Sequence, residues 1–458
     1  MSLKAIAKRK FLLLGGDIFI ILLSTFLAFL LRIGEFVNFF SVYTGASFIS
    51  IVFFPSVFYV ADLYNLQQDY KSFKAVAKII AAAIGGAMVT SFFYYFLTSY
   101  RYSRSVFFFN IILLTSFVLL WRLLYSNYFK DVIKPKRLML MGKDWVLEIL
   151  YKVLDGNPEF RVLGFIDGER QITGNPNPVP LPVYLLENAE EIIKEEAVDG
   201  VVTDLMEDKS HEVWQSLLRL KMSGVAIIGA ATLYQDITGK IPIQSVNDRW
   251  LVHAPGYNLL TSGFIQRLKR LYDVGISLLL LPIAIPLIGL AALAVRLDSS
   301  GPIFYRQIRL GKDEKEFYLI KFRTMVENAE EETWAVWAEK NDIRVTRIGK
   351  ILRSTRLDEL PQLFNVLKEE MSFIGPRPER PEFVRDLEEK IPYYSLRHSV
   401  KPGITGWAQV NYPYGASVED AIEKLQYDLF YIQNMSILLD LRIFLKTIHV
   451  VLFGKGSR

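Results

Sequence analysis

Two adjacent carboxylates, Asp358 and Glu359, stand directly before an apolar helical pattern. The apolar face of that pattern consists of Leu360, Leu363, Phe364 and Leu367. Proline is tolerated in the first turn of a helix, so Pro361 places Asp358 at or just before the helix N-terminus. The free N–H groups and the dipole there favour anions, and we expect them to keep Asp358 ionised. An ionised carboxylate can act as a nucleophile, and two neighbouring carboxylates can share a divalent ion.

Basic residues flank this acidic pair along the chain. Arg353 precedes the pair, and Arg377 follows it between Pro376 and Pro378. A guanidinium group offers two parallel donors that match the non-bridging oxygens of a diphosphate. The flanking prolines restrict the backbone at Arg377 and so preorganise its side chain. Each arginine alone is typical of a surface charge, but together with the acidic pair they indicate a site for phosphate esters.

The composition excludes several other kinds of chemistry. The 458 residues contain no cysteine, which rules out disulfides, thiolate metal sites and cysteine nucleophiles. The four histidines are too widely spaced in the sequence to suggest a metal motif. Any metal is therefore expected on oxygen ligands, which favours Mg²⁺ or Mn²⁺. The net charge of +5 arises from 53 basic and 48 acidic residues and does not indicate nucleic acid binding.

Apolar runs in the first part of the chain are long enough to cross a membrane. The mean hydropathy of +0.24 is high for a soluble enzyme and low for a protein that lies wholly in a membrane. About 20 helical residues span the ~30 Å of hydrocarbon. The first run lacks a small-residue cleavage site and three more follow, so it is interpreted as a retained span. The sequence predicts a four-helix transmembrane bundle within residues 1–130, with spans at 11–31, 46–64, 75–98 and 105–125.

Lysine and arginine in the short connecting loops predict the orientation of these spans. One side carries Lys4, Lys8, Arg9, Lys10, Lys71, Lys74, Lys78, Lys130, Lys134, Lys136 and Arg137. The other side carries Arg32, Arg101 and Arg104. The N-terminus and the chain after the fourth span are therefore expected in the cytoplasm. Asp17 and Asp62 lie near span ends, where we expect solvation at the level of the lipid headgroups.

Residues 136–255 alternate between strand-like and helix-like patterns, which predicts a Rossmann-like α/β domain. The predicted strands are Arg137–Met141, Val162–Ile166, Gly200–Val202 and Val225–Ile228, and the predicted helices are Val146–Leu154, Glu187–Glu196 and Val213–Met222. After the first strand, Gly142 is followed by Lys143 and Asp144, without the further glycines that a dinucleotide-binding turn needs. The pattern favours a structural or regulatory domain.

A fifth apolar segment, Val274–Val295, contains Pro282 and Pro286 near its middle. Each proline removes a helix hydrogen bond and favours a kink. Basic residues flank both ends of the segment, which favours cytoplasmic positions for both. The sequence therefore predicts a re-entrant membrane helix over about 268–297, and a fifth crossing is the alternative. The tail, Tyr427–Phe453, is interpreted either as an amphipathic surface helix or as a helix packed on the domain core.

Four motifs dominate the last part of the chain: KFRTM from Lys321, LDELPQLFNV from Leu357, MSFIGPRPE from Met371 and KPGITGW from Lys401. Through these motifs the region from about Ile265 onward resembles the bacterial sugar transferase family, the monotopic polyprenyl-phosphate glycosylphosphotransferases. The resemblance implies a mixed α/β catalytic domain over residues 264–458. The spans and the α/β domain are similar in architecture to the long subclass that initiates exopolysaccharide, capsule or O-antigen assembly.

This resemblance implies a two-step transfer of a sugar-1-phosphate from a UDP-sugar to undecaprenyl phosphate. The matching Asp358 would form a covalent phosphosugar-aspartyl intermediate and release UMP. Glu359 matches the partner carboxylate that holds magnesium with Asp358, and Pro282 and Pro286 match the break of the re-entrant helix. The resemblance also implies a homodimer in the bacterial inner membrane. Positions associated with phosphate binding match Lys321, Arg323, Arg353 and Arg377.

Three other classes of function remain open on the sequence alone. A transporter would show more charged residues and paired helix breaks in its spans. A scaffold with an inactive catalytic domain is opposed by the intact acidic pair. An NAD-linked enzyme is opposed by the missing glycines after the first strand. The motifs do not distinguish among glucose, galactose and N-acetylated sugars.

Overall fold

The computed structural model describes residues 3–34, 39–65, 70–97, 104–129, 135–142, 145–167, 181–204, 210–254, 256–257, 262–326, 344–413, 415 and 417–453. They form two compact units, of which one comprises residues 1–139, 154–163 and 193–200 and the other comprises residues 140–153, 164–192 and 201–458. Some residues of the sequence argument lie outside the described parts, namely Arg101, Lys130, Lys134, Lys143 and Asp144.

Four helices follow one another in the first part of the chain, as the apolar runs predict. They are α1 (Leu3–Ile33), α2 (Phe39–Val60), α3 (Phe73–Leu97) and α4 (Arg104–Leu124). By length and composition, three of these helices can cross a membrane, over Arg9–Arg32, Phe73–Tyr94 and Ser105–Tyr128. The apolar stretch found in α2, Ser47–Val60, is shorter. α1 packs against α4, and α2 packs against α3.

A buried ion pair joins α1 to α4. The two guanidinium nitrogens of Arg122 donate to the two carboxylate oxygens of Asp17 at 3.0 and 2.7 Å, and neither side chain is exposed. The rings of Tyr64 and Tyr70 lie 5.6 and 5.7 Å from the guanidinium carbon, within cation–π distance. The expectation that Asp17 is solvated among headgroups is therefore wrong, because Asp17 is buried in an ion pair. Its partner Arg122 lies 105 residues later in the sequence, on α4.

Replacing Asp17 with Asn should lower the stability of the bundle by about 3–5 kcal/mol, because a buried guanidinium would lose its counter-charge. Thermal unfolding of the detergent-purified chain measures this loss. Asp62→Asn is the matched control, since Asp62 is 54% exposed and lies 3.9 Å from Lys78 in a surface pair. Equal melting temperatures for the two Asn variants would contradict a structural role for the buried pair.

Residues after the bundle form the predicted α/β arrangement. The strands are β1 (Lys136–Met141), β2 (Phe160–Asp167), β3 (Val183–Leu185), β4 (Gly200–Thr203) and β5 (Ala226–Gly229), in the order β3-β2-β1-β4-β5. The helices are α5 (Trp145–Asp155), α6 (Leu186–Glu195) and α7 (His211–Met222). β2 and β3 pair in parallel. This strand order is typical of Rossmann-like sheets, so the predicted strands and helices are confirmed.

The remaining elements belong to the unit that carries the four motifs. The helices are α8 (Ala230–Thr238), α9 (Asp248–His253), α10 (Gly263–Asp298), α11 (Arg347–Thr355), α12 (Gln362–Leu367), α13 (Pro381–Lys390), α14 (Trp407–Asn411), α15 (Val418–Asn434) and α16 (Ile437–Phe453). The strands are β6 (Phe304–Leu310), β7 (Glu316–Phe322), β8 (Ser372–Ile374) and β9 (Gly403–Thr405). The mixed α/β character expected of this region is thus observed.

α10 is one uninterrupted helix of 36 residues, with Pro282 and Pro286 inside it. Near its start, the Asp273 carboxylate accepts the backbone N–H of Phe373 in β8 at 2.9 Å. At its end, the Asp298 carboxylate accepts the backbone N–H of Ile348 in α11 at 3.1 Å. Both ends of α10 therefore contact the same globular unit. The re-entrant path stays a prediction. The outward face of the helix is apolar and includes Leu278, Leu279, Ile283, Ile285, Leu290 and Leu293.

The core around the motifs also includes residues that precede α10. Ile241 and Trp250 share one buried hydrophobic cluster with Leu363 and Trp407. The indole N–H of Trp407 donates to the Gly239 carbonyl at 2.9 Å. Residues that the sequence assigned to the α/β domain of 136–255 thus pack against the region of the motifs. The tryptophan of the KPGITGW motif anchors this connection.

The tail forms two helices, and part of it packs on the core. Asp440 in α16 accepts from the Lys269 ammonium at 2.7 Å and from the Tyr431 hydroxyl at 2.9 Å. Ile443 is fully buried, whereas Leu438 and Leu452 are exposed. The packed alternative is therefore confirmed for one face of α16, while its other face stays apolar and open.

Candidate active site

A β-hairpin supplies two of the cations. β6 and β7 pair antiparallel, and Tyr305 lies opposite Lys321. Alternate residues of a strand point to the same face of a sheet. As a result, Gln307, Arg309 and Lys321 line one cavity. The guanidinium of Arg309 donates to the Gln307 side-chain oxygen at 2.7 Å and to the Pro378 carbonyl at 3.0 Å. The hairpin is thus joined to the MSFIGPRPE motif.

Lys321 is a half-buried cation of this cavity. Burial lowers its pKa to about 8, because a charged ammonium loses its hydration there, and the charges of Arg309 and Arg353 lower it further. Its ammonium lies 5.0 Å from the ring centroid of Tyr305. Lys321 therefore changes its charge within the neutral-to-alkaline range, unlike an exposed lysine.

Asp358 lies in a short 3₁₀ turn, Leu357–Glu359, that follows α11. The turn begins after Arg356, which adopts a left-handed conformation with φ of 59° and redirects the chain. Asp358 is only 9% exposed. Burial raises its pKa to about 6, and the neighbouring charge of Glu359 adds to this. The expectation that Asp358 is ionised therefore stays a prediction for neutral pH, and desolvation makes the carboxylate easier to protonate than an ordinary aspartate.

Glu359 responds differently to the same surroundings. Its carboxylate accepts from the Arg377 guanidinium at 2.8 Å. Burial tends to raise its pKa, but the charge and hydrogen bond of Arg377, together with Arg356 and Lys321, lower the pKa below its usual value. Of the two adjacent carboxyl groups, Glu359 is therefore the one that is ionised at lower pH.

Close packing of three glycines positions Arg377. β8 and β9 pair in parallel, and the Gly375 N–H donates to the Thr405 carbonyl at 2.9 Å. A Cβ at Gly375 would lie 2.4 Å from the Lys401 carbonyl oxygen. A Cβ at Gly403 or Gly406 would lie 2.1 Å from the backbone of Gly375. Only glycine allows the two backbone segments to pass each other at this distance. Their close contact fixes the position of the segment that follows Gly375, which contains Arg377.

A buried arginine, Arg397, also fixes the backbone of Arg377. The Arg397 guanidinium donates to the Arg377 carbonyl at 3.0 Å, to the Asp428 carboxylate at 2.8 Å and to the Tyr394 hydroxyl at 2.6 Å. Arg397 is 5% exposed and Asp428 is 2% exposed. The backbone of Arg377 is therefore fixed by a charge-assisted network as well as by the glycines.

Arg353 and Arg323, both predicted to bind phosphate, occupy different environments. The Nε–H of Arg353 donates to the Thr324 hydroxyl at 2.9 Å, and Arg353 lines the cavity beside Lys321. Arg323 points elsewhere, since its guanidinium donates to the Ser299 carbonyl at 2.8 Å at the end of α10. The structure therefore brings Lys321, Arg353 and Arg377 together with the acidic pair, but it does not bring Arg323 to them.

The cavity has a volume of about 530 Å³, and cations outnumber carboxylates among its lining residues. The cations are Arg309, Lys321, Arg344, Arg353, Arg356, Arg377, Arg380, Arg397 and Lys424, and the acids are Asp358, Glu359, Glu379 and Asp428. Sequence reasoning missed Arg344, Arg380, Arg397 and Lys424. All four lie outside the four motifs, and tertiary packing brings Arg397 and Lys424 to the cavity from separate elements.

One wall of the cavity is apolar. It is formed by α10 and α16 and includes Leu280, Ile283, Leu287, Val450 and Val451. The open apolar surfaces of both helices continue this wall outward, with Leu279 75% exposed and Leu452 69% exposed. The site therefore combines a cationic end with an opening toward an apolar surface.

The acidic pair offers suitable donors for a hard divalent cation. The Oδ1 of Asp358 is buried and has no hydrogen-bond partner among the residues that the structure describes. A buried carboxylate oxygen without a partner is costly, and a cation or a phosphate-bound ion would satisfy it. Oxygen donors of Asp358 and Glu359 fit Mg²⁺ or Mn²⁺. The surrounding cations favour an ion that arrives with a phosphate ester.

The chain matches known proteins over this region. The profile of the bacterial sugar transferases matches residues 264–454. A UDP-N-acetylgalactosamine-undecaprenyl-phosphate N-acetylgalactosaminephosphotransferase of Aeromonas hydrophila is 39% identical over 261 residues, which cover 57% of this chain and 60% of that protein. A UDP-glucose:undecaprenyl-phosphate glucose-1-phosphate transferase of Klebsiella pneumoniae is 44% identical over 205 residues, 44% of each chain.

A UDP-glucose:undecaprenyl-phosphate glucose-1-phosphate transferase of Caulobacter vibrioides is 42% identical over 182 residues, which cover 39% of this chain and 68% of that protein. The match to the Aeromonas and Klebsiella proteins spans about half of their length. The cationic cavity with its acidic pair has the charges that suit phosphate esters. The chain belongs to the bacterial sugar transferase family.

The burial of Asp358 should reduce the stability of the folded protein above pH 6. Its native pKa of about 6 exceeds the value of 3.8 for an unperturbed aspartate, so the native state binds the proton more tightly. Stability therefore falls as the pH rises from about 4 to about 6, and the loss persists at higher pH. The shift corresponds to about 3 kcal/mol. Asp358→Asn should raise the melting temperature at pH 8 and leave it unchanged near pH 4.

Asp386→Asn is the matched control for this measurement, because Asp386 is an exposed aspartate on α13. It should leave the melting temperature unchanged at both pH values. A lower melting temperature for Asp358→Asn at pH 8, or the same change at both pH values, would show that Asp358 is stabilised rather than strained by its site.

Proposed function

We propose that this chain transfers a sugar-1-phosphate from a UDP-sugar to undecaprenyl phosphate and releases UMP, as the first membrane step of exopolysaccharide, capsule or O-antigen synthesis. The observation that carries the proposal is the cavity in which a buried acidic pair, an excess of cations and an apolar wall occur together. The names of the three relatives described above support it, because each specifies transfer onto undecaprenyl phosphate.

The cationic end of the cavity suits the diphosphate of the donor. The charges of Lys321, Arg377 and Arg353 all act on Asp358, and Arg309 lines the same cavity. Guanidinium groups bind non-bridging oxygens in pairs, and a buried ammonium interacts with them strongly because water is excluded. These groups accelerate the reaction only where they stabilise charge that moves during phosphoryl transfer.

The apolar wall suits the lipid acceptor. Leu280, Leu287 and Val450 line the same cavity as Asp358, and the exposed faces of α10 and α16 extend from it. A polyprenyl chain can lie along this surface while its phosphate reaches the cations. The phosphate of a lipid stays near the headgroup layer, so the acidic pair must lie at that depth.

The contacts of α10 support a helix that enters the membrane without crossing it. Asp273 and Asp298 are about 37 Å apart along a straight helix, at 1.5 Å per residue. Both are nonetheless bonded to the same globular unit. Polar backbone groups of that unit cannot lie beside the helix in hydrocarbon. We therefore propose that α10 lies in one leaflet with its outward apolar face toward lipid, although the helix continues through Pro282 and Pro286.

In the first step, an ionised oxygen of Asp358 attacks the phosphorus that bears the sugar. The bond between that phosphorus and the bridging oxygen of the diphosphate breaks, and UMP leaves with that oxygen and its electron pair. The product is a phosphosugar ester of the Asp358 carboxylate. Lys321, Arg353 and Arg377 stabilise the charge that develops on the leaving phosphate.

In the second step, a phosphate oxygen of undecaprenyl phosphate attacks the same phosphorus. The bond to Asp358 breaks, which restores the carboxylate and forms the undecaprenyl diphosphate sugar. Glu359 stays ionised and holds Arg377 throughout, because its pKa is lowered. A Mg²⁺ ion held by Asp358 and Glu359 would neutralise diphosphate charge when bound.

The proposal includes the location of the protein. The basic residues on one side of the bundle, among them Arg9, Lys10 and Lys78, support a multi-pass protein of the bacterial inner membrane with the cavity in the cytoplasm. The homodimer implied by the family resemblance belongs to the same proposal. The molecular mass of the detergent-purified chain tests it.

The direct test is UMP release by the purified chain with Mg²⁺, undecaprenyl phosphate and a panel of UDP-sugars. Release should require the lipid and be fastest with one sugar. Asp358→Asn should reduce release by roughly a thousandfold or more, since an amide cannot serve as the nucleophile. Incubation with a donor radiolabelled in the sugar should label the wild-type protein in the absence of lipid, and the Asn variant should remain unlabelled.

Asp386→Asn is the control, because it makes the same chemical change at an exposed position of α13. It should release UMP at the wild-type rate. Retention of more than a few per cent of activity by Asp358→Asn would oppose covalent catalysis by this residue. Absence of release with every UDP-sugar and with other nucleotide donors would oppose the proposed reaction as a whole.

The rate should have a bell-shaped dependence on pH. The quotient kcat/KM should rise through about pH 6, as Asp358 loses its proton and becomes nucleophilic. It should fall above about pH 8, as Lys321 loses its proton and its charge. Lys321→Arg should remove the fall at alkaline pH, because a guanidinium stays protonated there.

Lys350→Arg is the matched control, since Lys350 is exposed on α11. It should keep both limbs of the profile. An alkaline limb that survives in Lys321→Arg would assign the limb to another group. A flat profile between pH 5 and pH 7 would contradict the need for ionised Asp358.

A further inference from the structure

A second group of potential ligands lies apart from Asp358. Glu314 comes from the turn between β6 and β7, Glu388 comes from α13, and His398 comes from the turn Tyr394–Ser399. One ligand atom of each lies within 4.8 Å of the others. We propose that these three side chains, the His-Glu-Glu cluster, form a divalent metal site that binds Zn²⁺.

The strongest observation is the environment of His398. The side chain is 7% exposed, and its Nδ1 has no hydrogen-bond partner among the described residues. The Nδ1 lies 3.8 Å from Oε1 of Glu314, which is too far for a hydrogen bond. The imidazole and the Tyr394 ring form a T-shaped pair, with centroids 6.4 Å apart. A buried imidazole nitrogen therefore faces a carboxylate without contacting it.

The imidazole is in the form that binds metals. Burial lowers the pKa of His398 to about 4, and the adjacent charge of Arg397 lowers it further. The ring is therefore neutral at pH 7, and His398 and Glu314 do not form an ion pair. The unprotonated nitrogen of a neutral imidazole can bind a metal ion when no hydrogen-bond donor occupies it.

The two carboxylates complete the site. Within the described chain, the nearest charged or polar partner shown for Glu314 is His398, and Glu388 has no lysine or arginine in ion-pair contact. Two carboxylates this close repel each other unless a cation lies between them. Because Glu314 and Glu388 are exposed, their side chains can rotate toward a common ion.

The donor set selects the metal. One imidazole nitrogen and two carboxylate oxygens match Zn²⁺, whose bonds to such atoms measure about 2.0–2.2 Å. Two ligands at that distance from one tetrahedral ion are about 3.4 Å apart. A small rotation of the exposed Glu314 side chain would close the present separation of 3.8 Å. Mg²⁺ prefers oxygen ligands alone and is disfavoured here. The His-Glu-Glu cluster thus differs in preference from the acidic pair at Asp358.

Metal binding at this cluster would join three elements that position the active site. Glu314 ends the hairpin turn between the strands that carry Arg309 and Lys321. His398 follows Arg397, which donates to the carbonyl of Arg377. The ion would therefore connect the hairpin to the turn that supports Arg377, and we expect it to stiffen the cationic end of the cavity.

The test uses the full-length chain in detergent, stripped of metals and then kept in excess Mg²⁺. Titration with Zn²⁺ alone, followed by calorimetry, should show one equivalent bound per chain. The melting temperature should rise by on the order of 2–4 °C. Glu388→Gln should abolish both effects, and Asp358→Asn should keep both, because the acidic pair is a separate site.

Glu389→Gln is the matched control, since Glu389 is the exposed neighbour of Glu388 on α13. It should bind Zn²⁺ as the wild type does. His398→Gln removes the nitrogen ligand, but the exposed Glu388 is the safer test because its substitution leaves the core intact. Absence of stoichiometric binding by the wild type, or wild-type Zn²⁺ affinity in either Glu388→Gln or Glu314→Gln, would overturn the proposal.

Discussion

Gly375, Gly403 and Gly406 bring two backbone segments to a separation at which no side chain fits between them. This close contact adjoins the cavity, and it determines the position of the Pro-Arg-Pro segment. From there Arg377 reaches Glu359, and Arg397 holds the carbonyl of Arg377. The geometry of the acidic pair therefore depends on a contact between backbones. Two of the four motifs contain these glycines, and their spacing reflects this steric constraint more than any direct role in catalysis.

The electrostatic balance of the site follows from this geometry. Asp358 and Glu359 are neighbours in sequence, yet one has a raised pKa and the other a lowered pKa. The difference arises because Arg377 donates a hydrogen bond to Glu359 at 2.8 Å, while Asp358 is buried with an oxygen that lacks a partner in the described chain. Adjacent carboxyl groups with separated pKa values can take separate roles. The burial of Asp358 therefore lowers the stability of the folded state.

Much of this arrangement could be predicted from the sequence. The apolar runs, the strands and helices of the α/β region and the grouping of Lys321, Arg353 and Arg377 follow from periodicity and motif content. The sequence could not show that Asp358 is strongly desolvated. Its burial depends on cavity-lining residues that are far apart in the sequence, from Ile283 to Val450.

Tertiary packing also explains the other differences. Arg323 lies two residues from Lys321, and in a strand-like stretch the two should share a face, but the chain leaves β7 at Phe322 and Arg323 turns toward Ser299. β3 was missed because three residues are too few to show a period. Histidine spacing along the chain gave no sign that His398 would lie near two glutamates from separate elements.

The pair between Asp17 and Arg122 has a consequence for how the chain enters the membrane. The two residues are 105 positions apart, so α1 leaves the ribosome well before α4 is made. At a translation rate of about 5–20 residues per second, the aspartate waits roughly 5–20 s for its arginine. During that interval Asp17 lacks its arginine partner, which makes α1 less favourable in the lipid phase than in the folded bundle. We therefore expect the arrival of the fourth helix to stabilise the first helix in the membrane.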